Sequence, residues 1–225
     1  SRVVGIFLTH AHDDHIGGVY HILKEFSVPV YGSKFTIAVL IDKLKEENFE
    51  YNPEMFKVVT PKTAMKLQGV EIRFFEVAHN IPDCLGIALK TDEGYVIYTG
   101  NFNFDQNSKI DYAHMFRALA IFAKEGVLAL MMDCLGADND QSRGAILEFK
   151  LRITNIISQA QNRIVLTLFS SDILRIQQVV NIALEQNKRI AIIGRKTQRL
   201  VNQAMQLGYL NIPEESLANL RYIDD

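Results

Sequence analysis

The chain has 225 residues, of which 48% are hydrophobic and 22% are charged, a composition typical of a globular protein with a sizeable core. No apolar run reaches the roughly 20 residues that a membrane-spanning helix needs, and no secretory leader is recognisable. The two cysteines, Cys84 and Cys134, are too few for a disulfide framework, which predicts a reducing, cytoplasmic location. Because Ser1 is not an initiator residue and the chain ends at Asp225 without a clear stop, we expect further sequence at both ends.

Charge is distributed unevenly along the chain. Residues 1–140 carry 13 Lys and Arg against 19 Asp and Glu, a net charge of −6, whereas residues 141–225 carry 11 against 7, a net charge of +4. An acidic half built around metal ligands and a basic half that meets phosphates would have this distribution. Chance asymmetry between two surfaces would produce it too, and on charge alone that is the better account.

The first half of the chain predicts strands in succession, with two early helices. Apolar and β-branched residues predict strands over residues 3–9, 56–60, 64–67, 70–77, 85–91 and 95–99. The last two of these strands are predicted to form a hairpin around a turn at 92–94. Helical spacing of apolar residues and good helix formers predict helices over residues 15–26 and 34–47.

The second half predicts regular alternation of helices and strands. Helices are predicted over residues 114–124, 145–159, 173–185 and 197–207, and strands over residues 127–132, 163–169 and 189–193. This alternation is typical of a parallel sheet with right-handed crossovers. Two architectures packed together are therefore expected, with a boundary somewhere after Asp133.

The segment between the first strand and the first helix carries the strongest chemical signal. It reads Leu8-Thr9-His10-Ala11-His12-Asp13-Asp14-His15-Ile16-Gly17-Gly18. Imidazoles and carboxylates together suit zinc or manganese, and alternation allows His10 and His12 to point to one side. Asp14 and His15 open the helix and can face a second metal, so that two metals would activate a shared water and clamp a phosphodiester. The alternative is a solvated polar loop, which would suffice for one histidine but is a poor account of this set.

This segment resembles the signature loop of the metallo-β-lactamase superfamily, and other segments narrow the resemblance to the ribonuclease J family. The segments similar to that family are Ala78-His79-Asn80-Ile81-Pro82-Asp83, Tyr98-Thr99-Gly100-Asn101-Phe102-Asn103-Phe104-Asp105, Glu125-Gly126-Val127-Leu128, Arg175-Ile176-Gln177-Gln178-Val179, Gly194-Arg195 and Leu207-Gly208-Tyr209-Leu210. The resemblance covers essentially the whole chain. It implies a partial metallo-β-lactamase αββα sandwich in residues 1–140, followed in residues 141–225 by part of an inserted β-CASP α/β domain with a parallel sheet.

The resemblance also implies roles for particular residues. One metal would be held by His10, His12 and His79, and the other by Asp14 and His15, with up to two Zn²⁺ or Mn²⁺ ions per chain. Asp14 and His15 would be catalytic, and RNA would be contacted by Ser171, Arg175 and Arg195. The implied activity is 5′-to-3′ exonuclease with endonuclease ability, in RNA processing and decay, assembled with another ribonuclease J subunit. By the same resemblance, two further histidine motifs lie beyond Asp225.

Position 101 departs from the family pattern. Where the family has an aspartate that bridges both metals, this chain has Asn101. A carboxamide offers one neutral oxygen and a nitrogen that donates, so the site loses a negative charge and its best bridge between two dications. We therefore expect weaker metal binding and low or absent nuclease activity. The opposing interpretation is that the other ligands still hold one metal, with Asn101 as a weak oxygen ligand.

The second half departs from the family as well. Asp172 and Leu174 stand where the family usually has asparagine and histidine, and Cys134 begins a stretch that differs from the usual Ser-Thr-Asn after Asp133. Altered functional stretches on an unaltered apolar framework resemble the weakly active second paralogue of the family in some Gram-positive bacteria.

Three functions remain open at this point. The first is a ribonuclease of the ribonuclease J type, with weakened catalysis, and the second is a non-catalytic subunit that stabilises an active partner and helps bind RNA. The third is a small-molecule hydrolase on the same core, such as a thioesterase or lactonase. The β-CASP-like second half argues against the third, because small-molecule hydrolases of the superfamily lack that insertion.

Overall fold

In the computed structural model, which describes residues 3–103, 112–138 and 145–218, the chain divides into two compact units. Of the described residues, unit 1 contains those up to 135 and unit 2 those from 136 onwards. The assignment of residues 1–140 and 141–225 to two domains stays a prediction. Among the described residues, no helix is both long and apolar enough to cross a membrane.

Unit 1 contains two β-sheets. The first is parallel and has the order β1 (Ile6–Phe7), β2 (Val30–Gly32) and β3 (Phe56–Val58). The second has the order β4 (Ala64–Leu67), β5 (Val70–Glu76), β6 (Leu85–Thr91), β7 (Gly94–Tyr98) and β8 (Val127–Met131). Its neighbours are antiparallel except β7 and β8, which are parallel. The chain therefore leaves β7 and β8 at the same edge of the sheet, where the backbone N–H of Thr99 donates to the carbonyl of Met131 at 3.1 Å.

Three helices cover the outer face of the first sheet. They are α1 (Asp13–Ile16), α2 (Val19–Glu25) and α3 (Lys34–Glu46). Their apolar residues share a cluster with the first two strands, formed by Leu8, Ile16, Val19, Leu23, Val30, Ile37, Leu40 and Leu44. Ser33 caps α3 by accepting a hydrogen bond from the backbone N–H of Thr36, which fixes where this helix begins.

The second sheet is covered on both faces. Successive residues of β5 point to opposite sides, so Phe74 joins the core between the two sheets while Phe75 points to α4 (Ala113–Glu125). Phe122 of α4 contacts the rings of Phe75 and Tyr95, with centroids 5.6 and 4.9 Å away. The layers of unit 1 are therefore helix, sheet, sheet and helix.

Two elements of unit 1 differ from the sequence-based expectation. The helix predicted over residues 15–26 is two helices, because the adjacent Gly17 and Gly18 lie between α1 and α2. The strand predicted over residues 3–9 is only two residues long in β1, and the side chains of Val3 and Val4 before it are exposed.

Unit 2 is helical in its described part. Its helices are α5 (Ala145–Gln159), α6 (Ile173–Glu185) and α7 (Arg195–Gln206), at the predicted places within two residues. Ile153, Ile157 and Ile182 form a small core between α5 and α6. The strands predicted over residues 163–169 and 189–193 are not formed: only Ile190 makes a parallel bridge, with Leu217. A strand needs a hydrogen-bonded neighbour. Beyond that single bridge, these segments form no ladder with any described residue.

Candidate metal centre

The loop after β1 places two histidines on one side by local backbone geometry. His12 is extended, with φ −72° and ψ 149°, and α1 begins at the next residue. In an extended backbone every second side chain points to the same side, so His10 and His12 face each other. Nε2 of His10 lies 3.0 Å from Nδ1 of His12. The predicted alternation of these two imidazoles is what the structure shows.

A third imidazole arrives from the loop after β5. His79 Nε2 lies 3.3 Å from His12 Nδ1, and the ring centroids of His79 and His10 are 4.9 Å apart. One ligand nitrogen from each of His10, His12 and His79 lies within 4.8 Å of the others. Residues that are 67 positions apart in the sequence thus form a compact set of potential metal ligands.

Burial keeps two of the imidazoles uncharged. His10 is fully buried, and burial, with the neighbouring His15, His12 and His79, lowers its pKa to about 2. Burial also lowers the pKa of His79 to about 4, although the charges of Asp133 and Asp14 oppose that shift. Both rings are therefore neutral near pH 7, and a neutral imidazole is the form that binds a metal.

Close contacts between loops hold this arrangement together. Gly100 has φ +61°, and a side chain there would approach Cβ of Thr9 to 2.9 Å, so only glycine allows this packing. The N–H of Leu85 donates to the carbonyl of Thr9 at 2.8 Å. The N–H of Asn103 donates to the carbonyl of Ala78 at 2.8 Å. The loops that carry His10, His79 and Asn101 thereby meet at one edge of unit 1.

The remaining predicted ligands lie at the margin of this cluster. His15 is mostly buried and its ring centroid is 4.0 Å from that of His10, while its Nε2 lies 3.4 Å from Oδ2 of the exposed Asp14. Neither residue belongs to the compact ligand set of His10, His12 and His79. Asn101 is half-buried in the loop after β7. Metal roles for Asp14, His15 and Asn101 stay predictions.

The three clustered imidazoles fit a metal ion. His79 Nδ1 is buried and has no hydrogen-bond partner among the described residues. The nitrogen of His79 that faces the cluster is the other one, Nε2, which lies 3.3 Å from Nδ1 of His12. Nδ1 of His12 in turn lies 3.0 Å from Nε2 of His10, so three imidazole nitrogens converge as ligands of one cation would. Nitrogen ligands with a nearby carboxylate suit Zn²⁺ or Mn²⁺.

Sequence reasoning overlooked residues that hold the ligands in place. The hydroxyl oxygen of the buried Thr9 lies 3.0 Å from Nδ1 of His10 and 3.4 Å from Nδ1 of His15, so one side chain contacts two imidazoles. Lys43 of α3 forms an ion pair with Asp13 in the first turn of α1. The position of Thr9 directly before His10 was the available signal, whereas the contact with Lys43 depends on the fold.

The predicted RNA contacts all belong to unit 2. Ser171 lies half-buried in the turn before α6, and Arg175 is in the first turn of that helix. Arg195 is the exposed first residue of α7, after Gly194, which has φ +100°. Their role in binding RNA stays a prediction.

Comparison with known proteins identifies the class to which this fold and site belong. Residues 1–122 match the family described as beta-lactamase superfamily domain, and residues 161–225 match the ribonuclease J beta-CASP domain. Ribonuclease J2 of Bacillus subtilis strain 168 is 35% identical over 215 residues, which are 96% of this chain and 39% of that protein. Ribonuclease J 2 of Staphylococcus aureus strain NCTC 8325 is 33% identical over 225 residues, which are 100% of this chain and 40% of that protein. The chain belongs to the ribonuclease J family of the metallo-β-lactamase superfamily, as its motifs predicted.

A solved structure supports the same fold. The crystal structure of a protein of unknown function from Enterococcus faecalis V583 superposes with a TM-score of 0.63 at 14% identity, over 94% of this chain and 50% of that chain. The predicted metallo-β-lactamase fold with a β-CASP segment is confirmed. The chain spans about 40% of the length of the two relatives.

Proposed function

We propose that this chain is part of a metal-dependent ribonuclease of the ribonuclease J type, with catalysis impaired at Asn101. The observation that carries the proposal is the compact set of three imidazoles from the buried His10 and the half-buried His12 and His79, of which His10 and His79 have lowered pKa values. Membership of the ribonuclease J family supports RNA as the substrate class. The role would be RNA processing and decay in the cytoplasm, by 5′-to-3′ exonuclease and endonuclease action.

Each part of the site has a proposed task. His10, His12 and His79 hold one Zn²⁺ or Mn²⁺, and Asp14 with His15 holds a second. Bound there, the metals supply Lewis-acid polarisation of a phosphoryl oxygen. The exposed carboxylate of Asp14 takes up a proton at Oδ2, which lies 3.4 Å from Nε2 of His15.

Asn101 is proposed to weaken this site, because its amide oxygen carries no net negative charge. Two dications held close together need anionic ligands to offset their repulsion, and the loss of a bridging carboxylate removes one. The second ion, which lacks a three-imidazole set, is the one expected to be lost first.

A second candidate function follows from the same residue. If the site holds too little metal for catalysis, the chain is a non-catalytic subunit that stabilises an active ribonuclease J partner and helps bind RNA through Ser171, Arg175 and Arg195. Asn101, a predicted metal ligand, and Asp172, beside the proposed RNA contacts, both favour this function over full activity.

Restoration of the carboxylate distinguishes the two functions. Metal content and cleavage of a 5′-monophosphorylated RNA would be measured for the wild type and Asn101→Asp, with Asn103→Asp as a control that adds the same charge two residues away. The impaired enzyme predicts weak wild-type cleavage that only Asn101→Asp raises, by about 10- to 100-fold. Cleavage absent from all three proteins would favour the non-catalytic subunit. Two metals and full activity in the wild type would refute the proposed role of Asn101.

A further inference from the structure

Arg175 is held on one face by an aromatic ring. Its guanidinium carbon lies 4.0 Å from the ring centroid of Phe149, which α5 presents to the first turn of α6. Stacking on an aromatic face orders the planar guanidinium and leaves its edge available for hydrogen bonds. The side chain is 26% exposed, so part of it is accessible from solvent.

The same arginine has an unused hydrogen-bond donor. Its buried Nη1 makes no hydrogen bond to any described residue. A guanidinium has five N–H donors in a rigid fork, which match the paired oxygens of a phosphate. Because the side chain is also partly exposed, this ordered guanidinium is prepared for an anionic ligand.

Asp172 contacts Arg175 in two ways. Its Oδ1 accepts a hydrogen bond from the backbone N–H of Arg175 at 3.0 Å, which caps α6. Its Oδ2 lies 3.9 Å from Nε of the same residue, at ion-pair distance. Asparagine caps a helix as well as aspartate does, so the cap alone does not require the negative charge.

We propose that Asp172 tunes RNA affinity through Arg175: its charge neutralises a guanidinium that Phe149 positions for a phosphate of bound RNA. The proposal rests on the proposed RNA binding and adds to it a residue that sets the strength of that binding. Asp172 is a positioning and charge-balancing residue, and Arg175 is the group that contacts the phosphate. A phosphate must compete with the carboxylate for the guanidinium, so removal of the carboxylate charge strengthens binding.

The test compares Asp172→Asn with the wild-type protein. Binding of a 3′-labelled phosphorothioate oligouridylate, which suppresses cleavage, is followed by fluorescence anisotropy across a series of salt concentrations. Asp172→Asn is expected to tighten binding by about tenfold at low salt, the scale of one charge-assisted contact. The slope of log K against log salt should steepen by about 0.7, the value for one phosphate of a single strand.

The control is Glu148→Gln on α5. Glu148 forms an exposed ion pair with Arg152, so this variant makes the same change in net charge and also releases an arginine in unit 2. A gain for Asp172→Asn no larger than that for Glu148→Gln would overturn the proposal, because net charge alone would then account for it.

A double-mutant cycle tests the route through Arg175. In an Arg175→Gln background, Asp172→Asn is expected to bring no gain beyond that of the control. A full gain in that background would show direct repulsion between Asp172 and RNA and would overturn the proposal. If wild type and Asp172→Asn both fail to bind RNA, the proposed function fails with it. If both bind equally, this inference alone fails.

Discussion

The two candidate sites of this molecule are built over very different sequence distances. In unit 1, His12 contacts His79 across 67 residues, and the loops of His10 and Asn101 meet through Thr9 and Gly100. In unit 2, Asp172 and Arg175 are three residues apart and would meet in any helix that starts there. A site of the first kind exists only while the whole sandwich is folded, whereas one of the second kind needs only a helix and its neighbour.

The largest effect is expected from removal of a buried ligand in unit 1. His10→Ala should lower zinc affinity on the order of a thousandfold, because one of a few ligands is lost from a site whose binding energy they share. Calorimetric titration with Zn²⁺ measures this. The control is His21→Ala, which alters an exposed histidine of α2. Equal zinc affinity for His10→Ala and wild type would mean that the imidazole cluster is not a metal site.

The next largest effect contrasts the cores of the two units. Leu40 is fully buried in a cluster of eight residues, whereas Ile157 belongs to a cluster of three. Leu40→Ala should cost about 4 kcal/mol of unfolding free energy and Ile157→Ala about 2 kcal/mol, because the larger core collapses less well around a cavity. Urea denaturation measures both unfolding free energies. The control is Leu151→Ala, because Leu151 is 63% exposed. Equal costs would show that unit 2 is as firmly packed as unit 1.

A smaller effect comes from overpacking the second sheet. A Cβ atom at Gly86 of β6 would lie 2.1 Å from the ring of Phe75, so the ring must move away from its contact with Phe122. Gly86→Ala should therefore cost about 2 kcal/mol in urea denaturation. Gly18→Ala is the matched control, because a Cβ there meets no atom within 4 Å. A neutral Gly86→Ala would mean that the sandwich deforms easily.

The smallest effect concerns an exposed charge cluster of unit 1. The carboxylate of Glu125 accepts hydrogen bonds from Lys90 at 2.6 Å and from the hydroxyl of Tyr95 at 3.1 Å, and the bond from Lys90 is the main cause of its lowered pKa. A lowered carboxyl pKa stabilises the fold above the unfolded value, and this stabilisation is lost as the pH falls through the folded value.

The urea midpoint of Glu125→Gln should therefore lie slightly below that of the wild type near pH 7. The two midpoints should converge as the pH falls below the folded pKa of Glu125, because both side chains are then uncharged. Glu93→Gln, in the exposed turn between β6 and β7, serves as the control. A gap of unchanged size at both pH values would assign the effect to packing.

The sequence predicted most of unit 1, because its signals are local. The strands at Ala64–Leu67 and Leu85–Thr91 have the predicted bounds, and the alternation of His10 and His12 follows from extended backbone. The approach of His79 to this pair came from the family motif, since no spacing rule connects residues so far apart. Helix α6 was likewise predicted at both ends, where apolar periodicity begins just after Asp172.

The rest depended on contacts that a sequence does not show. Two extended segments of unit 2 have the composition of strands, but Val165 and Phe169 are 87% and 85% exposed, without a ladder among the described residues. Composition predicts that a segment can be a strand, and only a partner makes it one. The same holds for the contact between Gly100 and Thr9, which requires both loops in place.

The hydroxyl of Thr9 has a consequence for the protonation pattern of the site. An oxygen with two lone pairs can accept an N–H from Nδ1 of His10 and another from Nδ1 of His15. When it accepts from both, each ring carries its proton on Nδ1, and the lone pair on each Nε2 points away from Thr9. In that arrangement one threonine sets the same tautomer for two imidazoles, one beside each proposed metal position. Thr9→Val would keep the shape of this residue and leave both tautomers open, a change that ¹⁵N chemical shifts of the imidazoles would reveal.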